Sequence, residues 1–211
     1  MIDAGISSSG IWAGAVLAGY CFGCLDMAWI LAFLKGRDIK HMGNGNPGAG
    51  NALMTMGIGA GALTAAWDIG KACLAYAVTW QALQGSRDMC LLSAACAVLG
   101  HCFPFWMDFR GGKGFAPFLG FMLCGDWQAA LLPIAVGLVM CLAFDRIAAM
   151  TFTCAALWPF LLAASMGLPY GLFYAPWSVL LAWNHWDNIR KILDGTEPGV
   201  RDAFRGRRRE P

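Results

Sequence analysis

The sequence predicts an all-α integral membrane protein of about seven transmembrane helices, N-terminus outside and C-terminus cytoplasmic. Three observations carry that expectation. Of 211 residues, 58% are hydrophobic and only 13% are charged, about half the charged share usual in soluble domains. The apolar residues fall into runs, several of them near the roughly 20 residues that a ~30 Å hydrocarbon core requires. The cations collect on one side of those runs. The same composition excludes disorder, and a formal net charge of +2 excludes a strongly basic nucleic-acid surface, so no nucleic-acid partner is expected.

The first run extends from Ile11 to Leu34. Asp3 is the only charge ahead of it, so it reads as a retained span rather than a signal peptide. The second, Ile58 to Leu83, contains Asp68 and Lys71 but is otherwise apolar and rich in small residues, which suits close helix packing in lipid. The third, Met89 to Phe103, ends at Pro104, and a short fourth, Phe115 to Cys124, follows a glycine-rich stretch. Runs from Ala129 to Phe144 and Ile147 to Met166 are separated only by Asp145 and Arg146, and the last runs from Leu172 to Trp183.

With seven spans and a cytoplasmic C-terminus, every Lys and Arg falls inside except Arg87, outside, and Lys71, within a span. The tail Arg207-Arg208-Arg209 reads as an anchor for anionic head groups. The cysteines lie mostly in apolar runs, where a free thiol is a small hydrophobe; Cys21-x-x-Cys24 alone makes neither a zinc site nor a redox motif.

Three polar stretches share the cytoplasmic side. The first, Gly43-Asn44-Gly45-Asn46-Pro47-Gly48-Ala49-Gly50-Asn51, is built of turn residues and reads either as a plain turn or as backbone that offers N–H groups to an anion. The second pairs Gly100-His101-Cys102-Phe103-Pro104 with Gly111-Gly112-Lys113-Gly114, where glycines flank a lysine ahead of a helix start. That combination suits phosphate, without being a Walker loop; a snorkelling interfacial lysine is the alternative. In the third, Asn184 to Glu197, a continuing helix would put His185 and Asn188 on one face, able to donate to phosphate or hydroxyl oxygens. Asp68-x-x-Lys71 reads as a structural ion pair, and Asp26 has no evident partner.

Taken together, these stretches resemble the PlsY family of bacterial integral-membrane acyl-phosphate:glycerol-3-phosphate acyltransferases. The first motif matches Gly43 to Asn51, the second Gly100-His101-x-Phe103-Pro104 with Gly111 to Gly114, and the third His185-x-x-Asn188-Ile189 with Leu193-x-Gly195-Thr196-Glu197; Asp68-x-x-Lys71 falls where the family has Asp-x-x-Lys-Gly. The resemblance covers nearly the whole chain. It implies one polytopic domain over residues 1–197 with a basic cytoplasmic tail over 198–211, in the bacterial inner membrane with the site facing the cytoplasm. It implies acyl transfer from acyl phosphate to glycerol 3-phosphate, giving lysophosphatidic acid for phospholipid synthesis, with no cofactor and no metal. Lys113, His185 and Asn188 would be catalytic, Asn44, Gly45, Asn46, Asn51, Gly111, Gly112 and Gly114 would bind substrate, and Asp68, Lys71 and His101 would be structural polar residues. No serine or cysteine nucleophile is paired with a base, so direct transfer without an acyl-enzyme is expected.

The chain departs from the family pattern at Asn44 (Ser), Gly50 (Thr), Met54 (a phosphate-binding Arg), Pro117 (Thr) and Ala149 (Ser). Arg37, Lys40 and Arg146 are candidates to replace the missing charge. The alternatives are an acceptor-changed or non-catalytic relative that binds acyl phosphate or lipid, and a small transporter using Asp26, Asp68 and Lys71; the inverted repeat expected of a transporter is not visible.

Overall fold

The computed structural model describes residues 8–205, and all regular structure among them is helical. The Arg207 to Arg209 anchor lies outside the described residues. Three stretches, Arg87–Met107, Phe115–Phe144 and Ile147–Met166, are long and apolar enough to cross a membrane. A fourth is the pair α1 (Ser8–Cys24) and α2 (Met27–Leu34), bent by 41°. The other α-helices are α3 (Ala49–Met56), α4 (Ile58–Gln81), α5 (Arg87–Cys102), α6 (Phe115–Phe144), α7 (Ile147–Met166), α8 (Leu168–Asn184), α9 (Trp186–Leu193) and α10 (Val200–Arg205).

The first apolar run is therefore two helices rather than one. Asp26, in extended geometry, caps α2 by accepting the Trp29 amide at 2.8 Å. A break inside an apolar medium frees carbonyls that must find partners within the protein. Here Trp106 Nε1 donates to Cys24 O at 2.9 Å, while Trp67 Nε1 and Lys71 Nζ donate to Leu25 O at 2.9 and 3.4 Å.

The fourth and fifth runs form one helical stretch, α6, interrupted at Asp126 (φ −154°, ψ 98°). A straight 30-residue helix would be about 45 Å long. Both ends of α6 nevertheless meet the same segment: Lys113 bonds Asn188 and Asn188 bonds Glu197, while Asp145 accepts Val200 N at 3.1 Å and Arg201 N at 3.0 Å. The chain thus reverses at Asp126, whose carboxylate caps the second limb through the amides of Gln128 and Ala129, each at 3.1 Å. Arg87 Nη2 closes the end of the first limb on Gly125 O. The two runs that the sequence divides at Gly125-Asp126-Trp127-Gln128 are the two limbs of this hairpin.

Aromatic packing fixes the first limb. Phe121 stacks on Tyr174 with ring centroids 4.0 Å apart, Tyr174 hydroxyl donates to Phe121 O at 3.0 Å, and Trp158 closes edge-on from α7. The start of this limb, which follows directly on Lys113, is thereby tied to α7 and α8.

Helices α1 and α5 touch through backbone. A Cβ at Gly23 would lie 2.3 Å from Ala97 O, and one at Gly100 would lie 2.2 Å from Tyr20 O. Small residues at such contacts supply the dispersion energy that helix pairs in lipid depend on. Gly23→Ala and Gly100→Ala should each cost about 1–3 kcal/mol, read as earlier unfolding in a detergent thermal melt. Gly70→Ala, whose Cβ meets nothing within 4 Å, should leave the melt unchanged or raise it by up to ~1 kcal/mol.

Candidate active site

The glycine-lysine loop folds back on the end of α5. Gly111 N donates to Cys102 O and Gly112 N to His101 O, both at 3.0 Å. These two amides, expected to face a phosphate, are taken by backbone. The glycines are required for close approach: a Cβ at Gly111 would sit 2.1 Å from His101 O, and one at Gly112 2.1 Å from His101 Nε2. Gly114 has φ +90°, and a Cβ there would also strike Cys102 Sγ. Helix α6 starts on Gly114 without a side-chain cap; Phe118 N is the first amide to pair with backbone and Pro117 has none, so the Phe115 and Ala116 amides stay open beside Lys113.

Lys113 Nζ donates to Asn188 Oδ1, and Asn188 Nδ2 donates to Glu197 Oε1 at 2.5 Å. This fixes the Asn188 amide with its oxygen toward the lysine. Burial draws the Lys113 ammonium below the ordinary lysine range, opposed by the nearby Glu197 carboxylate. An arriving anion offsets that desolvation. Asn184 Nδ2 donates to Lys113 O at 3.3 Å and lies 3.4 Å from Cys102 Sγ, so it clamps the loop. Neither Asn184 nor Glu197 was among the expected site residues. The signal available was their place within the motif that also holds His185 and Asn188.

His185 does not continue a helix; it ends α8 and begins α9 with φ −100° and ψ 11°. Its Nδ1 lies 2.9 Å from Leu181 O. A carbonyl only accepts, so Nδ1 carries the hydrogen and Nε2 presents a lone pair. Burial, reinforced by Lys113, holds its pKa down to about 4 despite the Leu181 bond. At neutral pH His185 therefore offers an acceptor on Nε2, where a donor was expected.

In the first loop most polar groups hold the loop itself. Asn51, 1% exposed, accepts Asn44 N at 3.2 Å and donates to Met42 O at 2.9 Å. Asn44 Oδ1 accepts Asn46 N at 3.0 Å, and Gly45 N donates to Met42 O at 2.9 Å. Asn51 and Asn44 are loop clamps, and Asn46 keeps a side chain without a bonded partner. The loop delivers the start of α3, uncapped by any side chain, to the start of α7: a Cβ at Gly50 would lie 3.8 Å from Ile147 Cδ1.

Met54 is 41% exposed on α3. Of the candidate replacement cations, Arg37 and Lys40 line a separate cleft of about 300 Å³ with Trp29 and Trp106, where Lys40 Nζ is bonded to Met107 O at 3.2 Å. Arg146 caps α7 next to α3 and donates to Asp145 O at 2.9 Å. Behind the loop, Asp26, Asp68, Lys71 and His101 cluster, none more than 3% exposed. Lys71 Nζ bonds Asp68 Oδ1 at 2.9 Å and His101 Nδ1 at 2.8 Å. Asp26, lacking an evident partner in the sequence, approaches His101 Nδ1 to 3.9 Å. No group of three or more His, Cys, Asp or Glu able to hold a metal occurs among the described residues.

Two outcomes follow from these contacts. Asn188→Leu, which severs Lys113 from Glu197, should lower turnover by about 10–100-fold, the worth of a hydrogen bond to a charged group, in a phosphate-release assay. His185 has a native pKa of about 4 against an ordinary 6.5, so below pH 6.5 the unfolded chain binds a proton that the native chain refuses. Stability is fully present above that pH and declines toward pH 4 by up to about 1.4 kcal/mol per pH unit. His185→Gln should flatten this decline in chemical-denaturation curves.

Comparison with known proteins places this arrangement. A family model described as glycerol-3-phosphate acyltransferase matches residues 13–195. A glycerol-3-phosphate acyltransferase of Maricaulis maris is 38% identical over 188 residues, covering 88% of this chain and 86% of its own. One of Gloeobacter violaceus is 36% identical over 208 residues, covering 92% and 95%. The crystal structure of PlsY, an integral membrane glycerol 3-phosphate acyltransferase, in its glycerol 3-phosphate form superposes with a TM-score of 0.81 at 26% identity, covering 89% of this chain and 94% of that one. Its lysophosphatidic acid form gives 0.79, covering 92% and 98%. With its glycine-lysine loop, its Asn188–Glu197 relay and its helical membrane frame, the chain belongs to the glycerol-3-phosphate acyltransferase family.

Proposed function

We propose that the protein transfers an acyl group from acyl phosphate to the first hydroxyl of glycerol 3-phosphate, giving lysophosphatidic acid for phospholipid synthesis. The observation that carries this reading is the partly desolvated Lys113 ammonium, held by Asn188 and Glu197 next to the open first turn of α6. A fixed cation beside unpaired amides suits phosphoryl oxygens. The donor and the acceptor both carry phosphate, so the catalytic task is mainly to bring two anions together and align the hydroxyl with the acyl carbonyl.

In this reading the hydroxyl oxygen attacks the acyl carbonyl carbon, the bond to the phosphate oxygen breaks, and inorganic phosphate leaves. The hydroxyl proton passes to a phosphoryl oxygen. A phosphate monoester, with a second pKa of about 6, is a stronger base than an imidazole whose pKa is about 4. His185 then orients the hydroxyl by accepting its hydrogen on Nε2, and Asn46 supplies a side-chain donor. Open amides at the starts of α3 and α6, with Arg146 near α3, are the groups available to take over from the Arg and Ser that the family pattern has in place of Met54 and Ala149.

The remaining assignments accord with this chemistry. Seven spans with the N-terminus outside put nearly all cations in the cytoplasm of a bacterial inner membrane, on the side where glycerol 3-phosphate is available. Residues 1–197 form the catalytic domain and 198–211 a basic tail, and acyl chains lie among the helices.

Purified protein in lipid, given palmitoyl phosphate, should release phosphate only when glycerol 3-phosphate is present. Lys113→Ala should reduce that release by roughly 10²–10³-fold while the protein stays folded. Met54→Arg should lower the KM for glycerol 3-phosphate by roughly 10–100-fold. Release supported only by a different hydroxyl acceptor, or none with any acceptor, would overturn the reading.

A further inference from the structure

The tetrad behind the glycine-lysine loop does more than neutralise buried charge. Lys71 Nζ faces three acceptors: Asp68 Oδ1 at 2.9 Å, His101 Nδ1 at 2.8 Å and Leu25 O at 3.4 Å. They match the three hydrogens of an ammonium, which donates and never accepts. The ring nitrogen that meets it must be unprotonated. The other groups facing Nδ1, Asp68 Oδ1 at 3.7 Å and Asp26 Oδ2 at 3.9 Å, stand beyond hydrogen-bond reach and do not compete. With Nδ1 used as acceptor, the hydrogen of the neutral ring resides on Nε2.

That Nε2 is pressed against the phosphate loop. A Cβ at Gly112, the residue before Lys113, would lie 2.1 Å from it. His101 bonds through Nδ1, and among the described residues no protein group is bonded to its Nε2. The two site histidines thus offer opposite faces: His185 an acceptor, His101 a donor.

We propose that His101 is a substrate-binding residue whose Nε2–H donates to a phosphoryl oxygen held at Lys113, and that Lys71 is its positioning residue, fixing this tautomer from within the helix bundle. Asp68 in turn holds Lys71. The proposal rests on the phosphate-binding reading of the site. Either substrate can supply the oxygen, and the KM that rises on substitution identifies which.

The test has a spectroscopic arm and a kinetic arm. Protein labelled with 15N-histidine in lipid nanodiscs should show His101 with a protonated Nε2 and a bare Nδ1, assigned by loss of the signal in His101→Phe or by elimination using His41→Asn and His185→Asn. The Nε2 signal should shift on addition of glycerol 3-phosphate or palmitoyl phosphate, and Lys71→Met should mix the tautomers while Lys71→Arg preserves them. In turnover, His101→Gln, which keeps a donor near the Nε2 position, should stay within about tenfold of wild type, and His101→Phe should lose about a further 10–100-fold in kcat/KM.

A bare Nε2 in the wild type, an Nε2 signal indifferent to both substrates, or a His101→Phe variant with undiminished kcat/KM would overturn the proposal. Absence of transfer by the wild type with any acceptor would instead retract the functional reading. The response of Nε2 to palmitoyl phosphate would still decide whether His101 binds phosphate.

Discussion

A buried ammonium organises this molecule. Lys71 is fully buried and bonds three elements at once: the break between α1 and α2 through Leu25 O, its own helix through Asp68, and the end of α5 through His101. A lone charge at such depth is prohibitive, and a pair with saturated hydrogen bonds is tolerable. The break in the first span is equally intolerable without internal donors. Each problem is the other's solution, because the freed carbonyl takes one of the lysine's hydrogens. Removing the lysine strands a carboxylate and an imidazole together, while Leu25 O keeps the Trp67 indole.

From this node the construction runs outward to the chemistry. His101 passes its carbonyl to Gly112 and Cys102 passes its own to Gly111, so the loop that ends in Lys113 is an extension of α5 rather than a free connector. Asn184 clamps the lysine's carbonyl, and Asn188 and Glu197 hold its side chain from the far end of the sequence. The Lys113 ammonium is thereby held in place by the protein itself, and a charge fixed in advance is the condition for electrostatic catalysis.

Much of this was legible in the sequence because membrane helices announce themselves by composition, and α4, α5, α7 and α8 fall on the apolar runs within a few residues. Two features were not legible. Asp26 read as an isolated charge because a capping role depends on a break that hydropathy does not register. The glycines at 111 and 112 read as phosphate-binding amides because sequence shows which residues permit close approach without showing what approaches; the partner proved to be the backbone of α5. Asn51 went the same way, its amide satisfied within its own loop. Motif membership pointed to a candidate site, and hydrogen-bond accounting shows which of its members keep unbonded groups.

The hairpin at Asp126 sets how far Lys113 stands from the turn of the chain. Its first limb, from Phe115 to Gly125, is about 16 Å long at 1.5 Å per residue, roughly half of a ~30 Å hydrocarbon core. Lys113, two residues ahead of that limb, is therefore separated from the turn by about half a core thickness rather than a full one. In the proposed reaction, a limb this short would let an acyl chain held among the helices reach the lysine. A lysolipid formed there would already have its tail among the helices, so the proposed reaction would need no step that lifts a hydrocarbon chain through water.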